Sequence, residues 1–182
     1  MADLFSAILS PKKHFKPCSL VKLRLDGNSI DEEGIRVICT ILKQSATIED
    51  LSLSNNFLHT DGTRMLVETL AENKTVKRLN ISSNFLKDDG AQVVCSLLRL
   101  PTCYLEHLDL QDNFITDKSV ECLVKALTPN LHLQELDLRK NEQLHLDLAR
   151  INPGINVLYD EPHGKKRRKK TNGRSSEFIN VQ

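Results

Sequence analysis

Between residues 20 and 144 the apolar positions follow two alternating rhythms. Five segments share the template LxxLxLxxN: LVKLRLDGNSI from Leu20, IEDLSLSNNFL from Ile48, VKRLNISSNFL from Val76, LEHLDLQDNFI from Leu105 and LQELDLRKNEQL from Leu133. Their starts are 28, 28, 29 and 28 residues apart. Inside each template the fourth and sixth places are apolar and the third, fifth and seventh are polar, the period-2 pattern of a short strand. Six residues after the asparagine stands a glycine, Gly34, Gly62 or Gly90, replaced by Ser119 in the fourth unit. Beyond it apolar residues recur at helical spacing: Ile38 and Leu42, Leu66 and Leu70, Val94 and Leu98, Leu123 and Leu127. Each unit therefore predicts a strand followed by a helix.

The ninth place supplies the reason the strand stops. An asparagine amide carries both donors and an acceptor, so stacked Asn28, Asn56, Asn84, Asn113 and Asn141 can satisfy turn backbone groups that no strand ladder reaches. A helix returning the chain to a parallel strand makes a right-handed βα unit. Parallel strands stack about 4.8 Å apart, whereas helices need about 8–10 Å, so such a stack must curve with strands inside and helices outside.

These segments resemble the leucine-rich repeats of the ribonuclease-inhibitor type, over about residues 20–144. The resemblance implies an α/β right-handed solenoid of about five repeats plus caps. The chain departs from the family pattern at Ser119 and at Asn141–Leu144, where the leucine arrives one residue late. Residues 1–19 read as an N-terminal cap, with a short amphipathic helix over 4–9 and a turn-rich stretch after it. An alternative is that this helix is the stub of a preceding repeat and the chain a shortened form of a longer one. Residues 145–162 read as a C-terminal cap, a short helix stopped by Pro153 and a closing strand around Ile155 and Val157.

On the curved sheet the outward places are the third, fifth and seventh of each template. Arg24, Asp50, Arg78, His107, Asp109, Asp137 and Arg139 are the candidate partner-binding residues among them. A polar face of mixed charge suits a protein partner, because complementary charge steers encounter and sets register. It contains no aromatic residue, which leaves Arg24, Arg78 and Arg139 as the candidate anchors. His107, Asp109, Glu135 and Asp137 could form a carboxylate–imidazole cluster, but no nucleophile or phosphate loop accompanies them, and no enzyme, cofactor or small-molecule substrate is expected.

Cysteine usage agrees with that reading. Cys18, Cys39, Cys95, Cys103 and Cys122 are odd in number and lack CxxC spacing, so neither a disulfide framework nor a metal site is expected. Cys39 and Cys95 occupy equivalent helix positions and Cys122 lies among apolar neighbours, which assigns them to core packing, with redox sensing as the lesser alternative. The sequons at Asn73 and Asn80 read as chance in an intracellular chain.

Charge adds one feature the repeats do not explain. The whole chain is +1, yet residues 163–182 carry seven bases and one acid, a +6 tail on a −5 body. With few apolar residues this tail is expected to be disordered. Its run Lys165, Lys166, Arg167, Arg168, Lys169 and Lys170 is a candidate nuclear-import signal, or a contact to nucleic acid or another acidic surface. No stretch is apolar and long enough for a membrane span. The expectation is a non-enzymatic scaffold or adaptor of cytoplasm or nucleus that binds a protein partner on the concave face. The family resemblance also implies, as alternatives, a regulator of a small GTPase or a ciliary, axonemal component.

Overall fold

In a computed structural model the structure describes residues 20–142 and 144–160. The expected cap helix over 4–9 and the tail 163–182 lie outside the described residues. Strands β1 (Lys22–Arg24), β2 (Asp50–Ser52), β3 (Arg78–Asn80), β4 (His107–Asp109), β5 (Glu135–Asp137) and β6 (Asn156–Leu158) form one parallel sheet in chain order. Helices α1 (Glu32–Gln44), α2 (His59–Glu72), α3 (Lys87–Leu98) and α4 (Val120–Leu127) connect the first five strands, and 3-10 turns occupy Asp117–Ser119 and Leu148–Arg150. This is an α/β leucine-rich repeat solenoid. Equivalent template places pair across every strand boundary, Leu23 with Leu51, Leu79, Leu108 and Leu136 in turn.

The core lies between the sheet and the helix layer. Leu51, Leu53, Leu79, Ile81, Leu108, Leu110, Leu136 and Leu138 meet Ile38, Leu42, Leu66, Leu70, Val94, Leu98, Leu123 and Leu127, all buried. Leu20, Leu23 and Leu25 of the first unit are only partly buried.

The asparagine ladder couples successive turns. Asn84 Oδ1 accepts the Leu58 N–H, and Asn113 Oδ1 accepts the N–H groups of Asn84 and Leu86, so each asparagine closes the turn of the preceding repeat. Helices α2 and α3 have no side-chain cap of their own, and their first N–H groups are met by this ladder and by the carbonyls of Asn84 and Asn113. The residue before each asparagine sits in the left-handed region: Gly27, Asn55, Ser83, Asp112 and Lys140 have φ between 52° and 66°. That reversal is what ends each strand.

The helices begin before the glycines, earlier than the apolar spacing marks. Gly90 lies in the first turn of α3, where an added Cβ would stand 2.8 Å from Leu86 Cβ. Its function is close approach to the leucine two places beyond the asparagine. In the fourth unit a 3-10 turn opens the helix, and Ser119, fully buried, donates to Asp88 Oδ1 at 2.5 Å. The late leucine of the fifth unit is absorbed as well: Leu144 is buried, and Asn141 still accepts from Asn113 and Ile115 and donates to Leu110 and Leu138.

Candidate functional site

Six parallel strands place the third and fifth template residues in two rows across the outer sheet face. One row runs Lys22, Asp50, Arg78, His107, Glu135, Asn156, and the next Arg24, Ser52, Asn80, Asp109, Asp137, Leu158. Six of the seven residues singled out in the sequence, Arg24, Asp50, Arg78, His107, Asp109 and Asp137, meet with Glu135 in one shallow depression. Arg139 lies one strand-end further and does not line it.

These side chains do not all stand free, as the alternation alone suggested. Asp50 is buried to 9% exposure beneath Lys22 and Arg24, which approach its carboxylate to 4.0 and 3.7 Å. Asp137, 6% exposed, is gripped by Arg139, whose Nε donates to Oδ1 at 3.0 Å and to Oδ2 at 3.1 Å. Two of the three candidate anchor arginines are thus engaged with neighbouring carboxylates. Arg78 is exposed, and its side chain has no hydrogen-bond or ion-pair partner among the described residues.

Asp109 is the under-neutralised acid of the face. Its oxygens accept the Gln111 backbone N–H at 2.9 Å and the Gln111 side-chain amide at 3.1 Å. Burial pushes its carboxyl above the usual carboxylate range and the charge of Asp137 adds to this, against the Gln111 hydrogen bonds and Arg139. The face is consequently bipolar: Lys22, Arg24 and Arg78 surround Asp50 at one end, while Asp109, Glu135 and Asp137 outweigh Arg139 at the other.

No described group of three or more His, Cys, Asp or Glu side chains is placed to hold a metal, and no described helix is long and apolar enough to cross a membrane. Cys39, Cys95 and Cys103 are buried, and burial raises each thiol pKa. Their packing role accords with that burial.

A second surface lies where the strands end, at places that neither the strand nor the helix period samples. Phe57, Phe85 and Phe114 directly follow ladder asparagines and remain 45%, 38% and 53% exposed. Their rings stack with centroids 6.0 and 5.7 Å apart and planes within 18°. The signal was present as NFL, NFL and NFI in three consecutive units.

Comparison with known proteins agrees with this architecture. The model of a family described as "Leucine Rich repeat" matches residues 16–39, 72–95 and 103–124. Over 128 residues the chain is 31% identical to "NACHT, LRR and PYD domains-containing protein 5" of Mus musculus, which covers 70% of this chain and 11% of that protein. The chain thus spans little more than a tenth of that relative's length. A solved structure, "Leiomodin-1 Actin-Binding Site 2 (ABS2)", superposes with a TM-score of 0.60 at 20% identity, over 71% of this chain and 72% of that one. The likeness there is one of fold. The chain belongs to the leucine-rich repeat family.

Proposed function

We propose that the chain is a non-enzymatic protein-interaction scaffold that binds its partner on the concave sheet face. The observation that carries this is the bipolar depression, with Arg78 unpartnered at one side and Asp109 incompletely neutralised at the other. A partner of complementary pattern sets an acidic group against β1–β3 and a basic group against β4–β5. The Coulombic gain is largest where the local carboxylates are already partly desolvated. The cluster lacks a positioned nucleophile and lies on an open sheet, so binding fits it better than bond chemistry.

The test is affinity capture from native tissue with the full chain and with an Arg78→Glu, Asp109→Asn double variant. Asn at 109 removes the charge and keeps an acceptor for the Gln111 N–H. Loss of a specific captured protein at an unchanged melting temperature supports the reading. An identical captured set moves the interface to the helices or the turn edges.

A further inference from the structure

The phenylalanine row lies on the edge where strands end and helices begin. One exposed phenylalanine needs no explanation, but three in register over consecutive turns form a continuous apolar strip. From the two centroid distances the strip is about 12 Å long. His59 flanks it, 6.5 Å from Phe57 and 5.6 Å from Phe85.

The same edge is strongly acidic. Residues 26–33, 54–61, 82–89, 111–118, 139–147 and 160, which form the turns and helix starts, carry twelve acids and four bases. Their net charge is −8, whereas residues 1–162 together are only −5. Four helix N-termini return roughly half a positive charge each, which leaves the edge negative by about six. Asp61, Asp89 and Glu142 have no side-chain partner among the described residues.

The chain carries its own complement. Asp160 is held on this edge, its carboxylate accepting the Lys140 N–H of the fifth turn at 2.6 Å. The basic run begins five residues later. Five extended residues reach about 17 Å and the six of the run span about 20 Å, enough to cross two turns to Phe114 and then cover the row.

We propose that Lys165–Lys170 dock along this edge, with lysine and arginine stems across the phenylalanine rings and their charged heads toward the flanking acids. Long basic side chains bury their stems while keeping the head wet, and a guanidinium from Arg167 or Arg168 over a ring face adds a cation–π contact. Because the segment is tethered, its effective concentration is millimolar and weak contacts suffice. The docked run is then withheld from any other acidic surface or receptor until it is released.

Limited trypsin digestion of the full chain reads this directly, since the run is a cluster of cleavage sites. At low salt the run is expected to be cut about tenfold more slowly in the wild type than in a Phe57→Ser, Phe85→Ser, Phe114→Ser variant. An Asp61→Asn, Asp89→Asn, Glu142→Gln variant, which leaves the rings in place, is expected to show the same acceleration. Both differences should vanish near 0.5 M salt, where the Debye length falls to a few ångström. Equal low-salt rates in wild type and both variants overturn the proposal. A photo-crosslinking p-benzoylphenylalanine at position 85 of the full chain supplies the second readout. An intramolecular link to the peptide containing residues 165–170 supports it. A link between two copies, to another part of the chain, or to nothing overturns it.

Discussion

Replacing Asn113 tests whether the asparagine ladder holds the turns together. The residue is fully buried; its Oδ1 accepts the N–H groups of Asn84 at 2.8 Å and Leu86 at 3.4 Å. Its amide donates to the carbonyls of Ile81, Leu110 and Gln111. In Asn113→Ala the Leu110 carbonyl keeps Asn141 and the Gln111 carbonyl keeps Ser83, but the two donors and the Ile81 carbonyl lose their partners. At about 1–3 kcal/mol per buried group, the two orphaned donors alone give a loss of about 2–6 kcal/mol, a large part of a typical domain's stability.

Asn113→Asp is the sharper variant. It keeps an oxygen for both donors but turns a second oxygen toward three carbonyls, so the site favours the protonated acid. The folded-state pKa of the new carboxyl is therefore raised above its unfolded value of about 3.9. Between those two values the folded state holds a proton that the unfolded state has released. Stability relative to wild type then falls as pH rises, by at most about 1.4 kcal/mol per pH unit. Denaturant unfolding from pH 4 to 8 measures this, with Asn55→Asp as the control because Asn55 is exposed and its side chain makes no hydrogen bond among the described residues. A difference from wild type that is absent at pH 7, or that shrinks with rising pH, refutes the ladder.

The glycines should divide by their surroundings. Gly90→Ala forces a Cβ within 2.8 Å of Leu86 Cβ and is expected to lose about 1–3 kcal/mol, whereas at Gly62 the nearest atom is 3.5 Å away and Ala should gain up to about 1 kcal/mol, both read by thermal melts. Burial works against ionised Asp88, but hydrogen bonds from Ser119 and Thr116 hold its carboxyl below the usual range. Its stabilisation is present above the unfolded pKa and is lost as pH falls through the folded one, and Asp88→Asn should flatten the acid limb of a pH–stability curve relative to wild type. If Lys165–Lys170 act as an import signal, a tagged chain too large for passive diffusion should move from nucleus to cytoplasm when the run is neutralised or when the chain is cut after Pro162. An unchanged distribution in both counts against the signal.

The sheet and the helix faces were legible in the sequence because both depend on strict periodicity. Leu51 and Leu53 could only be buried together, and Ile38 and Leu42 only on one helix face. The glycine role was legible as a position but not as a reason, since the close approach of Gly90 to Leu86 depends on where the helix starts. The pairing of Asp137 with Arg139 was hidden because the two are same-side neighbours two residues apart, a spacing that alternation reads as two free groups. A second set of asparagines lies outside both periods. Asn73 and Asn130 each accept from the second and third residues beyond them and reach back to Leu42 and Leu98, respectively, so the amide of the Asn73 sequon is occupied by the fold. Their offset of three residues before Val76 and Leu133 was the available sign. The phenylalanine strip was overlooked because its residues fall between the strand and the helix, in places that neither period samples.

Carboxylate footprinting tests the concave-face assignment most directly. The full chain, alone and in the complex isolated from its native tissue, is labelled with a carbodiimide and a small amine, and each modified acid is quantified by mass spectrometry. The expected result is that Glu135 and Asp109, on the sheet face, lose reactivity in the complex while Glu32, Glu72 and Glu121, on the helices, keep theirs. Protection of the helix acids with Glu135 and Asp109 unchanged contradicts the assignment and places the partner on the opposite side of the solenoid.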